Sequence, residues 1–466
     1  MNPFYHKSKG LVTNRTKILQ NALRKGLFLF LTLALLLSCT KNIEENIGKT
    51  TITKWQGDKQ SAISLTYDDG IITQLTVARP IMNKLEFPAT FFILTEKVKG
   101  ASPGKFIGRD PEVIIQETAT IPTNEANFFE RASLIGFTGT NKALAYHADA
   151  GAIFEAGKIK EAYALLDEGY EQIRNGTLKN DTETAYHNNP IDTTSWEDYK
   201  AYAAEGHEIA SHTITHPRLA VLNEVNLSYE LEQSKADIAT FLGKKYTFSA
   251  ECPYGTEDER VMQYAHRIYP ALRNRMPETY LEELNRSSDR QPGASQKEYV
   301  QWQRGPLTNT SMDLMKSWVD TCLTKDNIWL VLVFHGVDGI GWEPKTGAEL
   351  EEYFAYIKQR ESSLWVATFG DVTKYIRERK NMQLEPVVSD ASIAIQLGTT
   401  LDPVLYDVPI TLKTYVPKKW KGATLTTSGN EKDPVSLQLQ EDELGFYVLY
   451  TIAPSIKEIV LSEKIG

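Results

Sequence analysis

The sequence predicts an α/β protein in which a parallel sheet closes into a barrel, with a helical insertion and a small C-terminal all-β sandwich. Three observations support this fold class. Short β-branched or aromatic runs alternate with longer runs of helical period up to about residue 380. One connection, residues 100–194, is far longer than a normal crossover. After residue 385 only short strand-like runs follow, at roughly 10-residue spacing.

Composition narrows the class of protein. The chain has 466 residues, of which 41% are hydrophobic and 24% charged, and these proportions exclude collagen, coiled coil, a disulfide scaffold and wholesale disorder. The length fits two or three domains, or one large barrel with an appendage. The net charge is −9, and six of the positive charges lie in residues 1–38, so the remainder carries −15. Such an acidic chain is not expected to bind nucleic acid.

Residues 1–38 predict a lipoprotein signal peptide. Six basic residues stand without an acid before the apolar run 27–37, which is too short to cross a membrane of about 30 Å. The run ends Leu36-Leu37-Ser38-Cys39, which resembles the lipobox of bacterial lipoproteins. The resemblance implies a lipid on Cys39 and an extracytoplasmic location, in the periplasm or at the cell surface. An ordinary secretory peptide with a chance cysteine is the alternative.

The middle of the chain, residues 59–384, is predicted to be the barrel, and residues 39–58 a linker. The predicted strands are 62–67, 89–94, 208–211, 246–250, 328–334 and 364–368. The predicted helices are 73–86, 196–205, 226–242, 311–323, 346–360 and 371–380. In such folds the chemistry collects at the carboxyl ends of the strands.

Two further segments surround this pattern. The insertion 100–194 has an Ala-rich, helix-favouring part at 141–173 and a loop at 175–194. It is interpreted either as a lid or substrate wall over one rim, or as a structural elaboration. Residues 385–466 predict the sandwich, as a binding module or a spacer, with strands at 393–396, 410–415, 423–426, 435–439, 446–452 and 456–461.

Two adjacent acids, Asp68 and Asp69, end the first strand and precede Gly70. Such a pair is costly unless a cation lies there. A following glycine lets the backbone turn, so that both carboxylates can reach one pocket and take different roles. The alternative is an acidic strand-to-helix turn in which an aspartate caps the helix.

Three histidines follow two other predicted strands. His212 and His216 are four residues apart, which on a helical turn brings both imidazoles to a single ion. With one carboxylate they form a set suited to a catalytic divalent ion that keeps positions open. His335 directly follows strand 328–334. Chance spacing and a structural hydrogen bond are the alternatives for these residues, but three placements at strand ends favour a metal-assisted hydrolysis.

In order, these motifs resemble the polysaccharide deacetylases, also called the NodB-homology domain or carbohydrate esterase family 4. The similarity covers roughly residues 60–380, interrupted by the insertion. The motifs that carry it are Thr66-Tyr67-Asp68-Asp69-Gly70, His212-Thr213-x-x-His216-Pro217, Pro253-Tyr254-Gly255 and Phe334-His335.

The resemblance implies a distorted (β/α) barrel of NodB type and one divalent ion, commonly zinc, held by Asp69, His212 and His216. It assigns Asp68 as the base that takes a proton from water, and His335 as the acid that protonates the leaving group. A main-chain N–H near Tyr254 is implied to stabilise the oxyanion.

Two contacts to sugar are predicted at the same mouth, from Tyr254 and from Trp342 in the Gly-rich loop after His335. The predicted activity removes acetyl groups, most simply N-acetyl, from a polysaccharide or oligosaccharide. The alternatives are an O-acetyl esterase that uses the same ion, and a carbohydrate-binding lipoprotein whose barrel has lost turnover.

Two departures from the family pattern motivate the last alternative. Glu251 stands where such enzymes often carry an Arg that contacts the base. A nearby carboxylate would raise the pKa of Asp68, so either Glu251 points elsewhere, or the base is tuned differently, or the site is impaired. The family's supporting Asp and Trp also have no clear counterpart, although Asp313, Trp318 and Asp320 lie in the right region.

Overall fold

The computed structural model describes residues 46–138, 141–178, 194–256, 258–273 and 275–464. The predicted signal peptide and Cys39 lie outside these residues, so the lipid anchor and the extracytoplasmic location stay predictions. None of the described helices combines the length and the apolar character that a membrane-spanning helix needs.

The described chain contains one parallel and two antiparallel sheets. The strands are β1 (Thr50–Ile52), β2 (Ser61–Tyr67), β3 (Ala89–Ile93), β4 (Glu208–Ser211), β5 (Ser249–Ala250), β6 (Ala271–Leu272), β7 (Leu281–Leu284), β8 (Tyr299–Arg304), β9 (Ile328–Phe334), β10 (Leu364–Val366), β11 (Gln383–Val388), β12 (Ser392–Gly398), β13 (Ile410–Tyr415), β14 (Ala423–Thr427), β15 (Asn430–Leu437), β16 (Gln440–Asp442), β17 (Gly445–Ile452) and β18 (Glu458–Glu463).

The described α-helices pack on the sheets and form the insertion. They are α1 (Arg79–Lys84), α2 (Pro111–Glu117), α3 (Phe128–Ile135), α4 (Asn141–Glu155), α5 (Ile159–Arg174), α6 (Trp196–Ala204), α7 (Glu224–Phe241), α8 (Glu259–Ile268), α9 (Met312–Cys322), α10 (Gly347–Lys358) and α11 (Phe369–Asn381). One π-helical turn, Gln74–Ala78, leads directly into α1.

The parallel sheet has nine strands in the order β6-β5-β4-β3-β2-β9-β8-β7, with β10 also paired to β2. Every residue of β2 and β9 is buried, as expected for strands covered on both faces. In the register of these strands Tyr67 lies opposite Phe334. The next residues, Asp68 and His335, therefore leave the sheet side by side at its carboxyl edge.

The sheet is curled but not closed by strand pairing. Its end strands β6 and β7 are not hydrogen-bonded to each other. The Gln303 amide spans the opening, because its Nε2 donates to the Arg273 carbonyl oxygen (2.6 Å) and to Asn285 Oδ1 (3.3 Å). The predicted α/β class with a distorted barrel is confirmed, although β6, β7 and β8 were not predicted.

The insertion carries its own small core. Helices α2 to α5 enclose an apolar cluster that includes Phe128, Leu166 and Tyr170, all fully buried. Val221, which belongs to the barrel, is part of the same cluster. The inserted helices are therefore packed onto the barrel and share apolar contacts with it.

The C-terminal region consists of two antiparallel sheets, ordered β1-β13-β17-β16 and β11-β12-β18-β14-β15. The predicted linker 39–58 does more than connect, because β1 pairs with β13 (Thr50 opposite Thr414). Trp55, also in that segment, is fully buried, and its Nε1 donates to the Asp326 carbonyl oxygen at 2.6 Å. This segment therefore contacts both the C-terminal sheets and the barrel.

Candidate metal centre

Asp69, His212 and His216 come together at the carboxyl edge of the parallel sheet. Asp69 Oδ1 lies 3.6 Å from His212 Nε2 and 3.5 Å from His216 Nε2. One ligand atom from each of the three residues lies within 4.8 Å of the others. Two ligands that each stand about 2.1 Å from a tetrahedral ion are about 3.4 Å apart, so the observed spacing suits a small divalent cation.

The protonation states of this triad also suit a cation. Burial lowers the pKa of His212 to about 4 and that of His216 well below its usual value, so both rings are neutral at neutral pH. His212 Nδ1 lies 3.1 Å from the Glu251 carbonyl oxygen, to which it donates, which leaves Nε2 as the ligand atom. Burial first, and then the adjacent Asp68, raise the pKa of Asp69 to about 7. A bound cation would offset both effects.

The two histidines meet by a route that differs from the predicted helical turn. Residues 212–216 form a loop in which Thr213 (φ 71°) and His216 (φ 64°) adopt left-handed conformations. Buried Glu230 of α7 holds this loop, because its carboxylate accepts from the amides of Ile214 (2.9 Å) and Thr215 (3.0 Å). The packed helix therefore maintains a backbone that costs energy in isolation.

Asp68 is buried and anchored by an arginine that the sequence did not indicate. Arg273 donates to both oxygens of the Asp68 carboxylate, from Nη1 at 2.8 Å and from Nη2 at 2.6 Å, and also to Thr66 Oγ1 at 2.7 Å. Burial alone would raise the pKa of Asp68, but Arg273, then His335, lower it below its usual value. Asp68 is therefore ionised and able to accept a proton.

Glu251 does not oppose this arrangement. Its carboxylate faces the other side of Arg273, with Arg273 Nε at 3.0 Å and Nη2 at 2.9 Å. Burial raises the pKa of Glu251, and Arg273 acts in the opposite direction. The cation that the family places at position 251 is thus supplied from the end of β6, where it is shared by two carboxylates.

His335 lies beside Asp68, with Nε2 3.3 Å from Asp68 Oδ2. Burial lowers the pKa of His335 to about 3, so the ring is neutral at rest. Buried Gln74 ties the two residues together, since its Nε2 donates to the carbonyl oxygens of Asp68 (2.5 Å) and His335 (2.7 Å). Trp342, which is 53% exposed, packs edge-on against the His335 ring at a centroid distance of 4.6 Å.

The candidates for the family's supporting Asp and Trp lie elsewhere. Trp318 is buried in the barrel core, and Asp313 is exposed on α9. Asp320 binds Tyr356 (2.8 Å) and Arg360 (3.2 Å) on the surface. Trp342 is the aromatic side chain that contacts His335 in the described structure.

Tyr254 stands at the mouth and links the site to the insertion. Its ring is 41% exposed and lies 4.7 Å from the His216 ring. The Arg218 guanidinium also packs over this ring, 4.2 Å from its centroid, and pairs with Glu155 of inserted helix α4. Glu155 also accepts from Thr256 Oγ1 at 3.2 Å. One wall of the mouth is thus held by the insertion.

Arg273 and Glu230 were not predicted from the sequence, for reasons that can be stated. Arg273 follows a strand of only two residues, too short to show alternation, and it is separated from Asp68 by most of the barrel. Glu230 lies on α7, where a glutamate normally indicates an exposed face. Neither residue stands in a motif, so only the tertiary contacts reveal them.

Comparisons with known proteins agree with the motifs. Residues 179–269, which include His212, His216, Glu251 and Tyr254, match the family model for polysaccharide deacetylase. A curated relative, a gellan lyase from Bacillus sp., is 26% identical over 257 residues, which is 50% of this chain and 10% of that protein. The chain therefore spans about a tenth of the length of this relative.

Two solved structures illustrate the structural similarity. The Bc1960 peptidoglycan N-acetylglucosamine deacetylase aligns with a TM-score of 0.30 and 13% identity, covering 67% of this chain and 87% of that chain. Bacillus subtilis PdaA, a family 4 carbohydrate esterase, aligns with a TM-score of 0.31 and 11% identity, covering 72% and 88%. Residues 179–269, with the ordered motifs around them, are thus similar to the polysaccharide deacetylase family.

Proposed function

We propose that the protein removes acetyl groups, most simply N-acetyl, from a polysaccharide or oligosaccharide in a reaction that depends on one divalent ion, zinc in the first instance. The observation that carries this proposal is the convergence of Asp69, His212 and His216, with ligand atoms within 4.8 Å of one another, beside an ionised Asp68. A divalent ion held there would polarise the acetyl carbonyl and activate water.

We assign the proton transfers and the contacts to the substrate to the side chains around the three metal ligands. Arg273 keeps Asp68 ionised and fixed by two hydrogen bonds, so Asp68 can accept a proton from the attacking water. His335 is neutral at rest and lies 3.3 Å from Asp68, so we propose that it takes up the proton that Asp68 accepted from water and passes it to the departing nitrogen or oxygen. The exposed part of the Tyr254 side chain would position the sugar, and a main-chain N–H beside it would stabilise the oxyanion.

The test compares the purified full-length chain with Asp69→Asn and with the control Asp313→Asn, whose aspartate is exposed on α9. We expect about one zinc ion per chain, by elemental analysis, in the native protein and the control. Asp69→Asn should lose the ion and at least about a hundredfold of the activity, because a ligand and a negative charge are removed. Acetate release is measured on chitin tetrasaccharide (N-acetyl) and on acetylated xylan (O-acetyl).

The two substrates separate the alternatives. Release from chitin oligomers alone supports N-deacetylation, whereas release from xylan alone supports the O-acetyl esterase. A protein that binds zinc fully and releases acetate from neither substrate would argue against the proposed activity and in favour of a binding role.

A further inference from the structure

Arg286 lies at the mouth of the barrel, in the loop that follows β7. Its neighbour Asn285 accepts from the Gln303 amide, which in turn donates to the Arg273 carbonyl oxygen. Arg304 at the end of β8 donates to the Arg286 carbonyl oxygen at 3.4 Å. A methyl group added at Gly305 would lie 3.4 Å from Arg286 Cδ. The half-buried side chain therefore runs over the end of β8, on the same rim as the metal centre.

The charge of Arg286 reaches the catalytic groups. Behind the larger effects of burial and of Asp68, the charge of Arg286 acts to lower the pKa of Glu251 and of His335. Yet no carboxylate among the described residues forms an ion pair or hydrogen bond with its guanidinium. Arg273, by contrast, is paired with both Asp68 and Glu251.

Three carboxylates, from Asp68, Asp69 and Glu251, surround the metal position and Arg273. A fourth, from Glu230, lies beneath the histidine loop and is held by main-chain amides. The first three are balanced by Arg273 together with one divalent ion, which leaves Arg286 and its neighbour Arg304 as positive charge at this rim. A half-buried guanidinium without an acidic partner loses part of its hydration without recovering it from the protein. This surplus suits an anionic group that arrives with the substrate.

We propose that Arg286 is a substrate-binding residue that selects a glycan carrying a carboxylate on the sugar next to the acetylated one. The inference rests on the proposed function, because it names the substrate class of the same site. The planar guanidinium offers a fork of donors that matches a carboxylate in two hydrogen bonds. The protein as a whole is acidic, so this attraction is local to the mouth.

The test uses two disaccharides that carry no acetyl group and differ only at one carbon: cellobiouronic acid, which has a carboxylate, and cellobiose, which has a hydroxymethyl group. Binding to the zinc-loaded full-length protein is measured by NMR titration at neutral pH and low salt. We expect cellobiouronic acid to bind at least about tenfold more tightly, which corresponds to about 1.4 kcal/mol. This preference should weaken as salt is added.

The metal ion also attracts carboxylates, so variants are needed to show whether the preference comes from Arg286 or from the ion. Arg286→Gln should abolish the preference, and Arg286→Lys should keep part of it. Arg290→Gln should keep all of it, because Arg290 is an exposed arginine of the same loop and pairs with Glu282. Thermal melts of each variant verify that it is folded.

Equal binding of both disaccharides by the native protein, no detectable binding of either, or a preference that survives in Arg286→Gln would each overturn the inference. The proposed function is judged separately, by acetate release from the acetylated substrates. If acetate is released but no carboxylate preference is seen, the proposed deacetylase activity is supported and the role of Arg286 is rejected. If the preference is seen without acetate release, only the binding role of Arg286 is supported.

Discussion

At the scale of single residues, Arg273 is the cation that allows the carboxylates of Asp68 and Glu251 to lie together in a buried site. Asp68, Glu251 and Arg273 are all nearly inaccessible, and ions in such a position are tolerated only when they are paired and hydrogen-bonded. Arg273 uses Nη1 and Nη2 for Asp68, and Nε and Nη2 for Glu251. Glu251 therefore forms an ion-pair triad with Asp68 and Arg273, in which the arginine comes from the end of β6 and not from position 251.

We expect Arg273→Met to lower the free energy of unfolding by about 3–5 kcal/mol, because two buried carboxylates lose their cation. It should also raise the pKa of Asp68, so the acidic limb of the kcat/KM profile moves to higher pH. The double variant Arg273→Met with Glu251→Gln removes one charge and should recover part of the stability but not the activity. Urea titrations and pH profiles measure both effects.

Arg290→Met serves as the exposed control for this series and should change neither quantity. An acidic limb that stays in place in the folded double variant would show that Arg273 does not tune the base.

At the scale of elements, inserted helix α4 is attached to the loop that carries the metal ligands. His147, Gly151 and Glu155 recur every four residues and so form one stripe of the helix. The backbone amide of Arg218 donates to His147 Nε2 at 3.0 Å, and Glu155 pairs with the Arg218 guanidinium. The structure therefore supports a role for the insertion as a wall of the mouth.

Gly151 is the point of closest approach, since a methyl group there would lie 2.4 Å from Arg218 Cδ. We expect Gly151→Ala to push Arg218 off the Tyr254 ring, and to raise KM for a polysaccharide several-fold while kcat changes less. Overpacking of this kind costs about 1–3 kcal/mol, so the melting temperature should also fall. Gly293→Ala is the control, because a methyl group at Gly293 meets no atom within 4 Å.

A KM that is unchanged in Gly151→Ala would mean that the insertion packs on the barrel without shaping the substrate site.

At the scale of the whole molecule, buried neutral histidines make stability depend on pH. His207 is buried: the Ala89 amide donates to its Nδ1 (3.1 Å), and its Nε2 donates to Asn83 Oδ1 (2.8 Å). Burial lowers its pKa to about 4 from a usual value of 6.5. The unfolded chain binds this proton more tightly, so the stabilising contribution is complete above pH 6.5 and is lost as the pH falls towards 4.

We expect the native protein to lose about 2 kcal/mol more stability than His207→Asn between pH 7.5 and pH 5, because only the native chain must protonate this histidine on unfolding. Urea midpoints at the two pH values measure the difference. Parallel losses in the two proteins would place the acid sensitivity elsewhere.

The long, strongly patterned elements could be predicted from the sequence. Strands β4 and β9 have the predicted bounds, and β2, which ends at Tyr67, has them to within one residue. Three strands of the barrel were missed: β8, which has six residues, and β6 and β7, which have only two and four. Runs of that length do not show a period, and β1 lay in a segment assigned as linker.

The sequence by itself determined which residues would meet. Asp68, Asp69, His212, His216 and His335 each end or closely follow a strand, and the carboxyl ends of parallel strands share one edge. The tertiary structure decided what surrounds them: Arg273 between two carboxylates, Glu230 beneath the histidine loop, Arg286 at the rim and α4 against Tyr254. These contacts join residues far apart in the chain, and their geometry depends on how the sheet curls, which local patterns do not encode.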